Sequence, residues 1–199
     1  MFKKFFVAVA ACLIIFGANI CAAGTFQTIY NAENFTANLK GDEAAEESFN
    51  TNDGKMRLQL RKLVNASADK KIHCLAWLKG QRIYDEHFPD VQGGYIFRAV
   101  KNTADSRQFY VIQSNERAMM IGYSPASGKM EVYIDSKNYV CDFVASPTIV
   151  TTKNGNLILA FENYNRTLSA RYHFAWDNSK QWFSYSNLGT YRYSINRDC

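Results

Sequence analysis

The sequence predicts an all-β domain, built mainly as an antiparallel meander. Apolar and polar residues alternate along most of the chain after Lys55, and short turn sequences separate the alternating runs. Aromatic residues make up 15% of the chain, and only three prolines occur. Alternation with period two is typical of strands with one buried face, which aromatic rings suit well. Roughly ten strands in one domain must curl into a barrel or fold into a sandwich, with propeller-like blades as an alternative.

Residues 1–23 are predicted to be a secretory signal peptide. Lys3 and Lys4 precede an unbroken apolar run from Phe5 to Phe16, and the small residues of 21–23 suit cleavage before Gly24. An uncleaved anchor is the alternative, but it needs about 20 apolar residues, more than this run provides. We therefore expect an exported protein, periplasmic or secreted, with no stable membrane insertion after cleavage.

The charge of the mature chain argues against a nucleic-acid partner. Loss of Lys3 and Lys4 lowers the formal charge from +5 to +3. This excess is mild, and no basic run accompanies it.

Residues 24–54 are predicted to form a polar, partly helical segment ahead of the β domain, which spans 55–199. Asn31–Leu39 has two apolar residues on one helical face, and Asp42–Phe49 begins with an acidic turn that suits a helix dipole. The polar run 50–54 is a turn, and the period changes to two at Lys55.

Strands are predicted along the whole β domain. Alternation predicts strands around residues 56–60, 72–78, 95–99, 109–111, 119–123, 130–134, 139–143, 157–161, 168–176, 183–185 and 191–195. Turn sequences separate several of them, at 124–128, 153–156, 177–180 and 187–189. Asn154-Gly155 is the strongest hairpin signal among these turns.

Three cysteines remain after the signal peptide, and an odd number in an exported protein suggests one disulfide and one free thiol. The predicted disulfide joins Cys141 to Cys199, because a crosslink at the last residue would hold a terminus that otherwise frays. Cys74 is either the free thiol or the rival partner.

The richest group of titratable residues is Asp85, Glu86 and His87, placed in a loop that Pro89 and Gly93-Gly94 mark. Two carboxylates beside a histidine can bind a metal or perform acid–base catalysis. Charged residues are also common in solvated loops, and consecutive positions do not fix a shared direction. No zinc-ligand spacing or catalytic motif is present, so the sequence predicts neither a metal site nor a cofactor.

Two further groups are candidates for binding. Arg171 and His173 share the polar face of one strand and would suit an anionic ligand if that face lined a cavity. Trp182 and Tyr185 lie near the C-terminus, where Trp182 and Phe183 must point to opposite faces. Exposed aromatics of this kind often mark interaction surfaces, although both faces could also be packed.

Together these patterns favour an exported, non-catalytic binding protein with a protein or glycan partner. Inhibitors of extracellular hydrolases belong to this class. The alternative is a small secreted hydrolase that uses the Asp85, Glu86 and His87 cluster, with His173 as a further candidate. A purely structural envelope component is a third hypothesis.

Overall fold

The computed structural model describes residues 24–192. Its two helical segments are single 3-10 turns at Ala68–Lys70 and Ser136–Asn138, and neither is long or apolar enough to span a bilayer. The strands in order are β1 (Phe26–Ala32), β2 (Ala44–Thr51), β3 (Gly54–Lys62), β4 (Ile72–Leu78), β5 (Gln81–Phe88), β6 (Ile96–Asn102), β7 (Gln108–Gln113), β8 (Ala118–Ser124), β9 (Lys129–Asp135), β10 (Ser146–Thr151), β11 (Leu157–Glu162), β12 (Leu168–Asp177) and β13 (Trp182–Arg192).

The predicted all-β fold is confirmed, and its strands form three antiparallel sheets. The first sheet has the order β2-β3-β4-β5, and the central sheet has the order β1-β6-β7-β8-β9. The third sheet has the order β10-β11-β12-β13. Three successive four-stranded meanders therefore stack in a sandwich-like arrangement, and β1 extends the central sheet beside β6.

The central sheet is buried on both faces. In β7, Tyr110 and Ile112 pack toward the first sheet, while Phe109 and Val111 pack toward the third sheet. All four side chains are at most 1% exposed. Strands covered on both sides carry continuous apolar runs, and this explains why the alternation weakens there.

The predicted helices in residues 24–54 are wrong. Asp42–Phe49 lies mostly in β2, which pairs with β3 through a hairpin at 51–54. Asn31–Leu39 comprises the end of β1 and a series of turns. Acidic residues and alanine favour a helix locally, but here the backbone pairs with β3 and the Phe49 ring packs among Tyr30, Phe97 and Tyr110.

One strand prediction and one turn prediction in the C-terminal half also need correction. The predicted strand 139–143 is an irregular segment whose alternating side chains pack on the core without a partner ladder, and β10 begins only at Ser146. The predicted turn at 187–189 is a bulge within β13, where Leu188 is unpaired and Gly189 has a φ of 84°. The predicted hairpin at Asn154-Gly155 is confirmed, joining β10 to β11.

The described cysteines are both free thiols on opposite sides of the central sheet. Cys74 is fully buried beneath the first sheet, and Cys141 is half-buried against the core of the third sheet. The two therefore lie too far apart to pair. Cys199, the predicted partner of Cys141, lies outside the described residues, as does the predicted signal peptide.

Candidate functional site

The β4–β5 hairpin brings two histidines and an aspartate together on the outer face of the first sheet. His73 in β4 lies directly opposite His87 in β5, and Asp85 precedes His87 by two residues on the same face. Alternation along β4 turns Ile72 and Cys74 into the core, so His73 must point outward.

These three side chains are in close contact. The His73 Nε2 and Asp85 Oδ1 atoms are 2.6 Å apart. The two imidazole rings are stacked, with centroids 4.2 Å apart and an interplanar angle of 6°. One potential ligand atom from each residue lies within 4.8 Å of the other two. The cluster can therefore share a proton or hold a cation.

Neighbouring groups orient Asp85 and His87. Arg82 Nη1 lies 2.9 Å from Asp85 Oδ2, leaving Oδ1 to face His73. The hydrogen bond from His73 lowers the pKa of Asp85, and Arg82 adds to this effect. His87 Nδ1 lies 3.4 Å from the Lys70 carbonyl oxygen, which can only accept, so this nitrogen carries the proton.

The predicted catalytic side chains do not share one face, because the residues that carry them are consecutive in a strand. Asp85, Glu86 and His87 lie in β5 and not in a loop, so their directions alternate: Glu86 pairs with Cys74 on the inner side of the sheet. His173 lies in the third sheet, on the opposite side of the sandwich. These four side chains do not converge in one pocket.

A cavity of about 160 Å³ lies beside the β2–β3 turn, and none of the predicted catalytic residues lines it. Its charged lining comes from Asp53, Asp105 and Arg107. No His, Cys or Ser lines it among the described residues, and this set does not resemble a nucleophile with its base.

Sequence reasoning missed His73 as a member of the cluster. The turn at Lys79-Gly80 closes the β4–β5 hairpin, but regular pairing counted from it would set His73 opposite Glu86. A bulge beside Trp77 shifts the register by one residue and sets His73 opposite His87. This bulge, and not the turn alone, brings the two histidines together.

The predicted binding residues are distributed over both faces of the third sheet. Arg171 and His173 are half-buried on its outer face, opposite Gly189 and Ser186 of β13. Tyr185 is on the inner face opposite Phe174, where its ring contacts Tyr139. Because alternate residues point to opposite sides, the sheet does not gather these side chains in one pocket.

Trp182 lies at the other end of β13 from the bulge. Its ring packs on Tyr133 of the central sheet, with centroids 4.7 Å apart, and 43% of the residue is exposed. Its neighbour Phe183 is buried in the core. The Phe183 ring also contacts Tyr133, so both rings reach the central sheet.

The β13 strand also forms one edge of its sheet. It is 11 residues long, and apart from Phe183 its residues are exposed. No charged residue or proline occurs between Trp182 and Tyr191. Exposed apolar side chains in it are Trp182, Tyr185, Leu188 and Tyr191.

The other edge strands of the described residues carry features that discourage pairing. Phe26 N–H of β1 donates to Gly155 of the neighbouring hairpin, so part of that edge is covered. The remaining edges carry charge or proline: Glu46 and Glu47 in β2, Arg82 and Asp85 in β5, Lys129 and Glu131 in β9, and Pro147 in β10. Such residues protect edges from pairing with other chains, and β13 lacks them from Trp182 to Tyr191.

No protein-family model matches the chain, and no curated protein is significantly similar to it.

Proposed function

We propose that this chain is an exported, non-catalytic binding protein that pairs an extended segment of a partner protein with the edge of β13 that no described strand covers. The observation that carries the proposal is the uncharged, proline-free edge of Trp182–Asn187, the regular stretch before the bulge. Export rests on the predicted signal peptide.

A partner strand at this edge would gain two kinds of interaction. Main-chain hydrogen bonds would extend the third sheet, and alternate side chains would meet the aromatic residues on each face. Tyr185 and Trp182 are rigid aromatic side chains already held by Tyr139 and Tyr133, so little conformational entropy would be lost on binding. These are the properties of residues that dominate binding energy at interfaces.

The test is affinity capture with a tagged full-length chain expressed in an exporting host, followed by mass spectrometry. The mass of the exported chain also reports whether cleavage occurs before Gly24. The Trp182→Ser and Tyr185→Ser variants are compared with Tyr164→Ser, which removes a fully exposed tyrosine from the β11–β12 turn.

We expect one stoichiometric protein to be captured by the wild type and the Tyr164→Ser variant. Loss of one interface aromatic that contributes about 2 kcal/mol should weaken capture by more than tenfold. Equal capture by all four proteins, or no captured protein, would contradict the proposal. Self-association that the Tyr185→Ser variant abolishes would identify a second copy as the occupant and would contradict a separate partner.

A further inference from the structure

We propose that His73, Asp85 and His87 form a binding site for a divalent transition-metal ion, with zinc as the expected ion. The site lies on the outer face of the first sheet, on the opposite side of the sandwich from the outer face of the third sheet. It is independent of the proposed pairing at β13. The sequence alone indicated no metal site, because one ligand lies in a different strand from the other two.

The positions of the ligand atoms suit such an ion. Zinc binds imidazole nitrogen at about 2.0–2.1 Å and carboxylate oxygen at about 2.0–2.2 Å, so tetrahedral ligand atoms lie about 3.3 Å apart. His73 Nε2 and Asp85 Oδ1 are 2.6 Å apart, and one candidate atom from each of the three residues lies within 4.8 Å of the other two. Side-chain rotations that move these atoms by about 1 Å would bring them into the first coordination sphere. All three side chains are accessible enough to rotate.

The backbone places these ligands before any ion binds. His73 and His87 are a cross-strand pair in the β4–β5 ladder, so their Cβ atoms are held about 5 Å apart. The stacked rings show that the two imidazoles already point the same way. The backbone positions of the two histidines are therefore set before an ion binds, and only the side chains need to rotate.

The groups around the ligands are those that commonly support a metal site. The Lys70 carbonyl accepts from His87 Nδ1 and leaves Nε2 with a free lone pair. Arg82 holds the second oxygen of Asp85, so Oδ1 remains directed at His73. On binding, the ion replaces the proton on His73 Nε2: a charged imidazole releases that proton to the solvent, and a neutral imidazole moves it to Nδ1 by exchange with the solvent.

The chemistry of the site selects among metals. Two imidazoles and one carboxylate suit zinc, copper and nickel, whereas calcium and magnesium prefer oxygen ligands in larger numbers. Arg82 and Arg61 lie beside the site and repel any cation bound there. Strong metal–nitrogen bonds must overcome this repulsion, so an ion that binds imidazole weakly, such as calcium or magnesium, is disfavoured further. Three protein ligands leave a fourth position for water.

The experiment is a titration of the metal-free mature chain, residues 24–199, with zinc by isothermal calorimetry. The wild type is compared with His73→Gln, His87→Gln and Asp85→Asn, and with His173→Gln as the matched control on the other outer face. Nitrogen-15 spectra of the histidine side chains, recorded during a zinc titration of the wild type, identify the bound nitrogens directly. Thermal melting of each metal-free variant checks that it folds.

We expect one zinc ion per wild-type chain, with direct shifts of Nε2 in His73 and His87 and none in His173. Loss of a group that only hydrogen-bonds to a metal ligand commonly weakens metal binding about 10–100-fold. Loss of a ligand itself should therefore weaken zinc binding by at least about 100-fold. The His173→Gln variant should bind as the wild type does. The proposal is overturned if the wild type binds no zinc or if the Nε2 signals of His73 and His87 do not shift. It is also overturned if the His87→Gln variant still binds zinc with wild-type affinity, which would indicate binding at the cysteine thiols.

Discussion

A pair of adjacent methionines in the central sheet tests the three-sheet arrangement. Met119 and Met120 are neighbours in β8 and are 2% and 0% exposed. Met119 packs in the core beneath the first sheet, and Met120 packs in the core beneath the third sheet. In a two-sheet sandwich one of these neighbours would face solvent, so the same substitution at each position separates the two architectures.

The expected effect is large at both positions. Methionine to alanine removes three heavy side-chain atoms, and at about 0.8 kcal/mol for each buried group the transfer loss is about 2.4 kcal/mol. A residual cavity adds to this loss, and buried Met→Ala changes commonly cost 2–5 kcal/mol in all. For a domain of this size, that corresponds to a decrease in Tm of roughly 4–20 °C.

The assay is urea unfolding of Met119→Ala, Met120→Ala and the wild type, followed by tryptophan fluorescence and circular dichroism. Tyr164→Ala is the control, because Tyr164 is fully exposed and its loss should change the free energy of unfolding by no more than about 0.5 kcal/mol. The three-sheet arrangement is refuted if the free energy of unfolding of either methionine variant lies within about 0.5 kcal/mol of the wild-type value.

Two further predictions follow from buried groups. Burial acts to raise the pKa of Asp135, but hydrogen bonds from Arg117 and the Lys137 N–H outweigh it and lower the pKa. The unfolded state therefore binds the proton more tightly, so this stabilisation is present above the ordinary pKa of 3.8 and is lost as pH falls through the lowered value. Asp135→Asn should cost about 1–3 kcal/mol near pH 7 and progressively less in acid, measured by urea unfolding across pH, and a pH-independent cost would contradict this. Burial also raises the pKa of the Cys74 thiol, so in the reduced native protein a thiol reagent should label Cys141 much faster than Cys74, with both reacting in urea, and rapid native labelling of Cys74 would contradict its placement.

The sequence alone supported the fold class and most of the strands. Alternation located β3, β4 and β12 because one face of each strand is buried and the other is at least partly exposed. Asn154-Gly155 located a hairpin because a tight turn needs residues that adopt positive φ, and this requirement is local to the turn. Strand alternation and turn sequences depend on residues that are close together in the chain, so they can be recognised without knowing any distant contact.

The tertiary structure decided what lies next to each strand. The acidic, alanine-containing segment of β2 has a helical pattern locally, and only its pairing with β3 makes it a strand. Burial of Tyr110 and Met120 together with their neighbours required a sheet on each side, and alternation along one strand cannot show that.

The candidate site shows the same division. Asp85 and His87 attracted attention in the sequence, but Glu86 between them points to the other side of the sheet, and His73 comes from the preceding strand. The exposed edge of β13 likewise follows from its position at the end of the sheet order. The sequence determined which chemical groups are present and which strands carry them. Their convergence depends on strand register, which is set by hydrogen bonds between residues far apart in the chain.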